Sequence, residues 1–298
     1  MKILVAEYAV GAGVDEFMLE GRAMLGTLVR SFVSCGHEVF YPTAGARLDA
    51  GEAVSTGRFE DALEKLSMKC DAALVIAPDE MLGDMTAIIE ENTVNLGCPS
   101  GSVRLCADKL ECTRALLRAK IPVPETIGSG EYEGDFVIKP RSGCASEGIY
   151  RSRGGRLKDG FIATRFVNGE HLSASVITGK TQLLLTVNRQ LIEIGGNISY
   201  KGGTVPYYCG RNDEIIEVAK KATKVLGCRG YAGVDIVLGD KPYVVDVNPR
   251  PTTSIIAIAR VLETEIADLI IKSSFGELPR EVKTKGSFTF QKDSLAGL

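Results

Sequence analysis

Apolar and polar positions along the first hundred residues fall into blocks. KILVAEYA (2–9) is a short apolar run without helical spacing and reads as a strand, and DAALVIAP (71–78) is apolar throughout, as a strand covered on both faces must be. Between them GRAMLGTLVRSFVSCG (21–36) repeats apolar residues at three- and four-residue spacing, HEVFYP (37–42) returns to a strand, and FEDALEKLSMKC (59–70) is again helical. This β-α-β-α-β order predicts an α/β, Rossmann-like domain over residues 1–100, with ligands at the carboxyl ends of parallel strands. Glu7, Tyr8 and the segment 9–14 lie at such an end, which makes Glu7 and Tyr8 candidate substrate contacts.

Beyond residue 100 the pattern becomes α+β. CADKLECTRALLRAK (106–120) reads as one helix stopped by Pro122 and Pro124. Short strands and glycine turns follow in DFVIKPRSGCASEGIY, FIATRFVNGEHLSASVIT and TQLLLTVNRQLIEI, then a loop at NISYKGGTVPYY (197–208). A long helix is expected over 212–227, a hairpin over 230–251 and a closing helix from about 252 to 272, while the polar tail after about 280 is expected to be mobile.

Gly11 and Gly13 after the first strand invite comparison with the dinucleotide fingerprint. That pattern needs a small residue three positions after the second glycine, where this chain has Glu16, an acid that would oppose a pyrophosphate. A loop touching substrate, or a plain turn, is the better reading, and a Rossmann-type oxidoreductase the weaker one.

Composition narrows the function classes. The 298 residues are 45% hydrophobic and 24% charged, with no apolar run of membrane-spanning length, so membrane insertion is not expected. Thirty-five basic against 38 acidic residues leave a net charge of −3, without the basic excess of a nucleic-acid binder. Only two histidines, His37 and His171, are present, and His37 reads as structural, so an imidazole-based triad or zinc site has little to work with. Eight scattered cysteines without a C-x-x-C, and a first strand that follows Met1 directly, suggest reduced, buried thiols and a cytoplasmic protein.

Three stretches carry the chemistry. In YVVDVNPR alternation puts Asp246 and Asn248 on one face and Val245 and Val247 toward the core, and the turn at Gly239-Asp240 folds GVDIVL back so that Asp235 joins them. Two carboxylates and an amide oxygen are hard ligands suited to Mg²⁺ or Mn²⁺, and acids in so apolar a strand are costly without a partner. In VIKPRSGCASEGIY, Lys139 precedes a loop containing Ser142, Gly143, Ser146 and Gly148, whose small residues let backbone N–H groups close over an anion. The spacing differs from a P-loop, since the lysine comes before the glycines. The third is Asp108-Lys109, at a helix start.

Taken in order, DKLECTRALLRAKIPVPET, FVIKPRSGCASEGI, FIATRFVNGEHLSASV and GVDIVLGDKPYVVDVNPRP resemble the successive motifs of the ATP-grasp superfamily. That resemblance implies two α+β lobes after the first domain, a central one over 101–162 with a lid loop and a C-terminal one over 163–298 with a metal site. It further implies an ATP-dependent carboxylate–amine ligase working through an acyl phosphate. Lys109 and Lys139 would contact phosphates, 142–148 would be the lid, Ala163, Thr164, Arg165 and Phe166 the adenine hinge, and Glu170 the ribose acid. Asp235, Asp246 and Asn248 would hold the metal, and Arg250 would face the acyl phosphate. Two departures are visible. Asp246 stands where the family usually has Glu, leaving the number of ions at one or two, and Thr164 and Arg165 replace the acidic hinge opening, so adenine would be read by backbone alone.

Such chemistry needs charge neutralisation and positioning rather than a protein nucleophile, which suits a chain poor in histidine. Arg189 on its strand is a candidate for the γ-phosphate or a plain surface residue. EYAVGAGVDEFMLEGRAMLGTLVRSF is similar to the start of the ligases that join the glutamate side-chain carboxyl to tyramine in methanofuran biosynthesis. Tyr200, Tyr207 and Tyr208 could stack on an aromatic amine or be core and rim residues, and Lys201 or Arg250 could hold an amino-acid carboxylate. Other amino-acid or dipeptide ligases, and a non-catalytic ATP-binding regulatory module, remain alternatives. The expected partners are small-molecule acid and amine substrates, with a homodimer common among ligases of this type.

Overall fold

The computed structural model describes residues 1–55, 57–143 and 148–297. Strands β1 (Lys2–Glu7), β2 (Glu38–Thr43), β3 (Glu52–Ser55), β4 (Ala72–Ile76) and β5 (Val94–Asn95) form a parallel sheet in the order β3-β2-β1-β4-β5. Around it pack α1 (Tyr8–Ala12), α2 (Asp15–Ser34), α3 (Phe59–Ser67) and α4 (Asp79–Asn92). The strand order reverses between β1 and β4, the switch point at which an open α/β sheet receives its ligand. The residues just past those two strands are Glu7, Tyr8, Pro78 and Asp79, so the topology itself assigns them to a site. β1 and β4 are buried along their length, which is why both read as unbroken apolar runs.

The segment after β1 differs from the expected loop. Tyr8–Ala12 is a short helix whose first N–H groups, Ala9 and Val10, donate to the Glu7 carboxylate at 3.2 and 2.8 Å. A Cβ on Gly11 would stand 2.2 Å from the Phe59 ring, and Gly13 ends the helix at φ 73°. The two glycines thus serve packing and a helix end, and no dinucleotide loop is formed. The short edge strand β3 went unread because it is half exposed and lacks a strong period.

The single helix expected at 106–120 is two, α5 (Ser100–Ala107) and α6 (Lys109–Arg118), broken at Asp108, whose carboxylate accepts from the Leu110 and Glu111 N–H groups. The second sheet contains β6 (Thr126–Ile127), β7 (Glu131–Pro140), β8 (Tyr150–Arg156) and β9 (Phe161–Arg165), antiparallel in the order β6-β9-β7-β8. The third sheet begins after it, with β10 (Glu170–Thr178), β11 (Gln182–Ile194) and β12 (Ile198–Val205). Helix α7 (Asn212–Val225), strands β13 (Gly230–Leu238) and β14 (Pro242–Asn248), helices α8 (Ile255–Val261) and α9 (Ile266–Phe275), and β15 (Phe288–Gln291) complete it in the order β14-β13-β10-β11-β12-β15. Residues 197–208, expected as a loop, are mostly strand, and the closing helix is interrupted between Val261 and Ile266. The polar tail is not loose either: β15 pairs with β12, Phe290 and Leu295 are buried, and a 3₁₀ turn (Lys292–Gly297) follows.

One core cluster runs from Leu4 and Val75 of the first sheet to Leu172, Val234 and Ile236 of the third, and a second packs α2 against α8 and α9. Apolar burial on this scale is the dominant stabilising contribution, and here it joins the first sheet to the third. The seven described cysteines are unbonded and five of them are buried. Among the described residues no helix is long and apolar enough to cross a membrane.

Candidate active site

A single cleft collects residues from all three sheets. From the second sheet and its neighbours come Lys139, Val137, Gly143, Thr164, Arg165 and Phe166, with Lys109 beside them from α6. The third sheet adds Ser173, Gln190, Tyr200, Asp235, Asp246, Asn248 and, just past β14, Arg250. The first domain closes the cleft with Glu7, Tyr8 and Asp79 from the switch point and Glu20 from α2.

The acidic strands meet through an irregularity the period-2 reading missed. Asp235 pairs with Asp246, but the next partner of β13 is Val244, so Val245 is the extra residue of a bulge. Val244 and Val247 are the core residues, and Val245, expected in the core, faces the cleft and offers its carbonyl to Lys139 Nζ at 2.7 Å. Gln190 Nε2 donates to one Asp235 carboxylate oxygen at 2.9 Å and Asn248 Nδ2 to the other at 3.3 Å. Removal from water and the Asp246 charge raise the Asp235 carboxyl to about 7, against the pull of Gln190, Asn248 and Lys139.

Both lysines of the cleft are unusually sheltered for their type, Lys109 at 6% exposure and Lys139 at 7%. Burial depresses the Lys139 ammonium, with Asp246 opposing. Burial also works against the Lys109 ammonium, but the Asp246 and Asp79 charges outweigh it and hold that pKa above the ordinary value. Lys109 Nζ donates to the Gly143 carbonyl at 2.5 Å, and the Lys109 N–H to the Arg141 carbonyl at 2.9 Å, so helix α6 holds the chain at 141–143, where the expected lid begins. Arg141 returns a two-pronged contact to the Asp108 carboxylate, at 2.8 and 2.6 Å.

Asp79 ties these parts together. It is 10% exposed and stands 3.6 Å from Lys109 and 3.4 Å from Arg250, so one carboxylate at the end of the first sheet neutralises two sheltered cations, one from α6 and one just past β14. Burial raises its pKa, and Arg250 and Lys109 oppose that rise. Glu7 is 4% exposed, and burial lifts its carboxyl to about 7 despite its two N–H donors and the Arg250 charge.

Of the residues singled out from the sequence, thirteen line this cleft: Glu7, Tyr8, Lys109, Lys139, Gly143, Thr164, Arg165, Phe166, Tyr200, Asp235, Asp246, Asn248 and Arg250. Five do not. Arg189 alternates with Gln190 on β11, so it turns to the opposite face, where it sits 3.7 Å from Glu170 and over the Tyr207 ring. Glu170 shares the face of Leu172 and Ala174 and accepts from the Tyr207 hydroxyl at 2.7 Å. Lys201 points away beside Tyr200 and pairs with Glu193, while Ser142 and Gly148 are exposed outside the cleft. Ser146 lies outside the described residues. Arg165 reaches Glu125 at 2.6 Å with its guanidinium on the Phe136 ring, so its charge is already paired at the rim of the cleft. Asp79, Glu20, Gln190 and Lys292 went unread: each is an ordinary charge or amide in sequence, and the one available signal was the place of Asp79 just after the apolar run 71–78.

The donor set also fits a divalent cation. Asp235 and Asp246 are paired carboxylates whose mutual repulsion a cation would relieve, with the Asn248 amide as a third oxygen source. Among the described residues no three His, Cys, Asp or Glu side chains converge. Phosphate oxygens and water would therefore have to supply the remaining positions.

Comparison with known proteins agrees with this architecture. The model of the ATP-grasp domain matches residues 106–254. A tyramine–L-glutamate ligase of Methanocaldococcus fervens is 33% identical, covering 97% of this chain and 100% of that one. Its counterpart in Methanocaldococcus jannaschii is 31% identical, covering 97% and 94%. A crystal structure from Archaeoglobus fulgidus, assigned to the ATP-grasp superfamily, is 31% identical and superposes with a TM-score of 0.83 over 98% of this chain and 92% of that one. With the lysines, the acid pair and the lid base assembled at the switch-point cleft, the chain belongs to the ATP-grasp family, as an ATP-dependent carboxylate–amine ligase.

Proposed function

We propose that the enzyme joins the side-chain carboxyl of L-glutamate to the amine of tyramine at the expense of ATP. The observation that carries this reading is one cleft that runs from the two sheltered lysines, past Arg250, to an end lined by Glu7, Tyr8, Phe17, Glu20 and Tyr200. Cations at one end suit phosphates, and Glu7 with the Tyr8, Phe17 and Tyr200 rings at the other suits an aromatic amine. The full-length similarity to two tyramine–L-glutamate ligases supports the same substrates.

In this reading a carboxylate oxygen attacks the γ-phosphorus, the bond to the bridging oxygen breaks and ADP leaves with its electron pair. The amine nitrogen then attacks the acyl carbon, phosphate departs, and the nitrogen loses a proton. Lys109 and Lys139 hold phosphate oxygens, and Arg250, kept in place by Asp79, stabilises the charge on the transferring group. Asp235, Asp246 and Asn248 would hold one or two divalent ions, Mg²⁺ or Mn²⁺, whose chemistry is to neutralise phosphate charge. Residues 142–148, expected as the lid, would exclude the water that hydrolyses the acyl phosphate; 144–147 lie outside the described residues, and Lys109 holds Gly143 at the start of the segment.

The test is ADP release with ATP, Mg²⁺ or Mn²⁺, L-glutamate and tyramine, with the amide identified by mass spectrometry. A product of glutamate and tyramine mass is expected, with tyramine on the side-chain carboxyl. ADP release with a different acid–amine pair would keep the ligase and reject these substrates.

A further inference from the structure

The far end of the cleft draws on distant segments of the chain, two of them, α2 and the turn after β15, outside residues 106–254. Glu20 comes from α2, Tyr200 from β12, Thr253 from the turn before α8, and Lys292 from the 3₁₀ turn after β15. Lys292 Nζ stands 3.0 Å from one Glu20 carboxylate oxygen, and the Thr253 hydroxyl donates to the other. Next in line is Glu7, whose carboxyl feels both the Glu20 and the Arg250 charges. Contacts and charge thus connect Lys292 to Glu20, Glu20 to Glu7, Glu7 to Arg250, and Asp79 to both Arg250 and Lys109.

A part-exposed pair such as Glu20 and Lys292, at 20% and 32%, adds little to stability. Nor does the C-terminal segment need it, since four residues of β15 pair with β12 and Phe290 and Leu295 are buried. What the pair does offer is one anion and one cation 3.0 Å apart, inside the cleft. An α-amino acid carries the complementary arrangement, an ammonium and a carboxylate on one carbon.

We propose that Glu20 and Lys292 form the subsite for the head group of a zwitterionic α-amino acid, Glu20 taking the ammonium and Lys292 the carboxylate. The acid's side-chain carboxyl then extends toward Arg250 and the phosphates. Held by Lys292, the α-carboxylate stays away from the phosphoryl donor, so the pair selects which of two carboxyl groups is activated. The inference rests on the ligase reading above and names the residues that recognise its acid.

The full-length enzyme is assayed with tyramine and either L-glutamate, 4-aminobutyrate, which lacks the α-carboxylate, or glutarate, which lacks the α-ammonium. Wild type is expected to show a KM for L-glutamate about tenfold or more below either analogue. Lys292→Met should raise the KM for L-glutamate about ten- to a hundredfold, to the level of 4-aminobutyrate, with the KM for ATP changed less than about threefold. Glu20→Gln should erase the preference over glutarate, and Lys292→Arg should restore part of the loss. A Lys292→Met protein with lowered Tm but unchanged discrimination overturns the proposal, as does a wild type that does not discriminate. If another α-amino acid replaces glutamate as substrate, the proposed acid is wrong, and the same variants judge the subsite on that acid. Turnover confined to acids without the head group overturns it. Titration calorimetry of a panel of α-amino acids into ADP-saturated enzyme needs no turnover, and absence of heat from all of them also overturns it.

Discussion

The two ends of the cleft are built on different plans. At the proposed phosphate end Lys109, Lys139, Asp235, Asp246, Asn248 and Arg250 come from the stretch 106–254, and their side chains are tied to backbone carbonyls, neighbouring amides and Asp79. At the substrate end Glu7, Glu20, Tyr200, Thr253 and Lys292 come from five separate segments spanning almost the whole chain. Chemistry common to many acids calls for a preorganised frame, whereas recognition of one acid can be assembled from surfaces free to change.

The sharpest break in that comparison is expected at the acid pair. Asp235→Ala should lower kcat by about three orders of magnitude or more, since no other carboxylate on β13 can replace it. Its Tm should fall little, because the variant also relieves a strained like-charge pair. Retained activity would remove the metal assignment.

Asp79→Asn comes next, because it strips the shared anion from two sheltered cations. A fall of about ten- to a hundredfold in kcat/KM for both ATP and the acid is expected, with about 1–3 kcal/mol of stability lost in chemical denaturation. A change confined to one substrate would show that Asp79 serves one end of the cleft and does not link them.

Glu7 sharpens the comparison through pH. Its carboxyl is near 7 when folded and has an ordinary value of 4.5. The unfolded chain therefore binds fewer protons between those values, and stability falls as pH rises through that window. The contribution is fully present below pH 4.5 and lost above about 7. At 1.36 kcal/mol per unit its ceiling is ~3 kcal/mol. Glu7→Gln, which keeps a neutral side chain, should flatten that part of the ΔG-against-pH curve measured by urea denaturation. An unchanged slope would mean that Glu7 stays charged in the folded enzyme.

The smallest effects are expected where side chains turn away from the cleft. Arg189→Ala and Lys201→Ala should each change kcat/KM by less than about threefold, the scale of an exposed ion pair. A larger loss with Arg189→Ala would restore its expected role at the γ-phosphate.

Much of the frame was legible before any coordinates. Unbroken apolar runs identified β1 and β4 because parallel strands are covered on both faces, and the Gly239-Asp240 turn placed Asp235 opposite Asp246. Alternation failed at Val245, because a bulge shifts the period by one residue and leaves no mark in composition. It also failed at 197–208 and at the tail, where a glycine-rich strand and a polar edge strand owe their form to each other's hydrogen bonds and not to local preference.

Local order along the chain was enough to specify most strands of the frame and the opposition of Asp235 and Asp246, since periodicity and turn chemistry act between near neighbours, whereas Lys109 and Lys139 were singled out by the family resemblance. The meeting of Asp79 with Lys109 and Arg250, and of Glu20 with Lys292, depended on long-range packing. A charge has no periodic signature, and its partner is chosen by which buried faces come together: here the faces of the first and third sheets and of α2, α8 and α9.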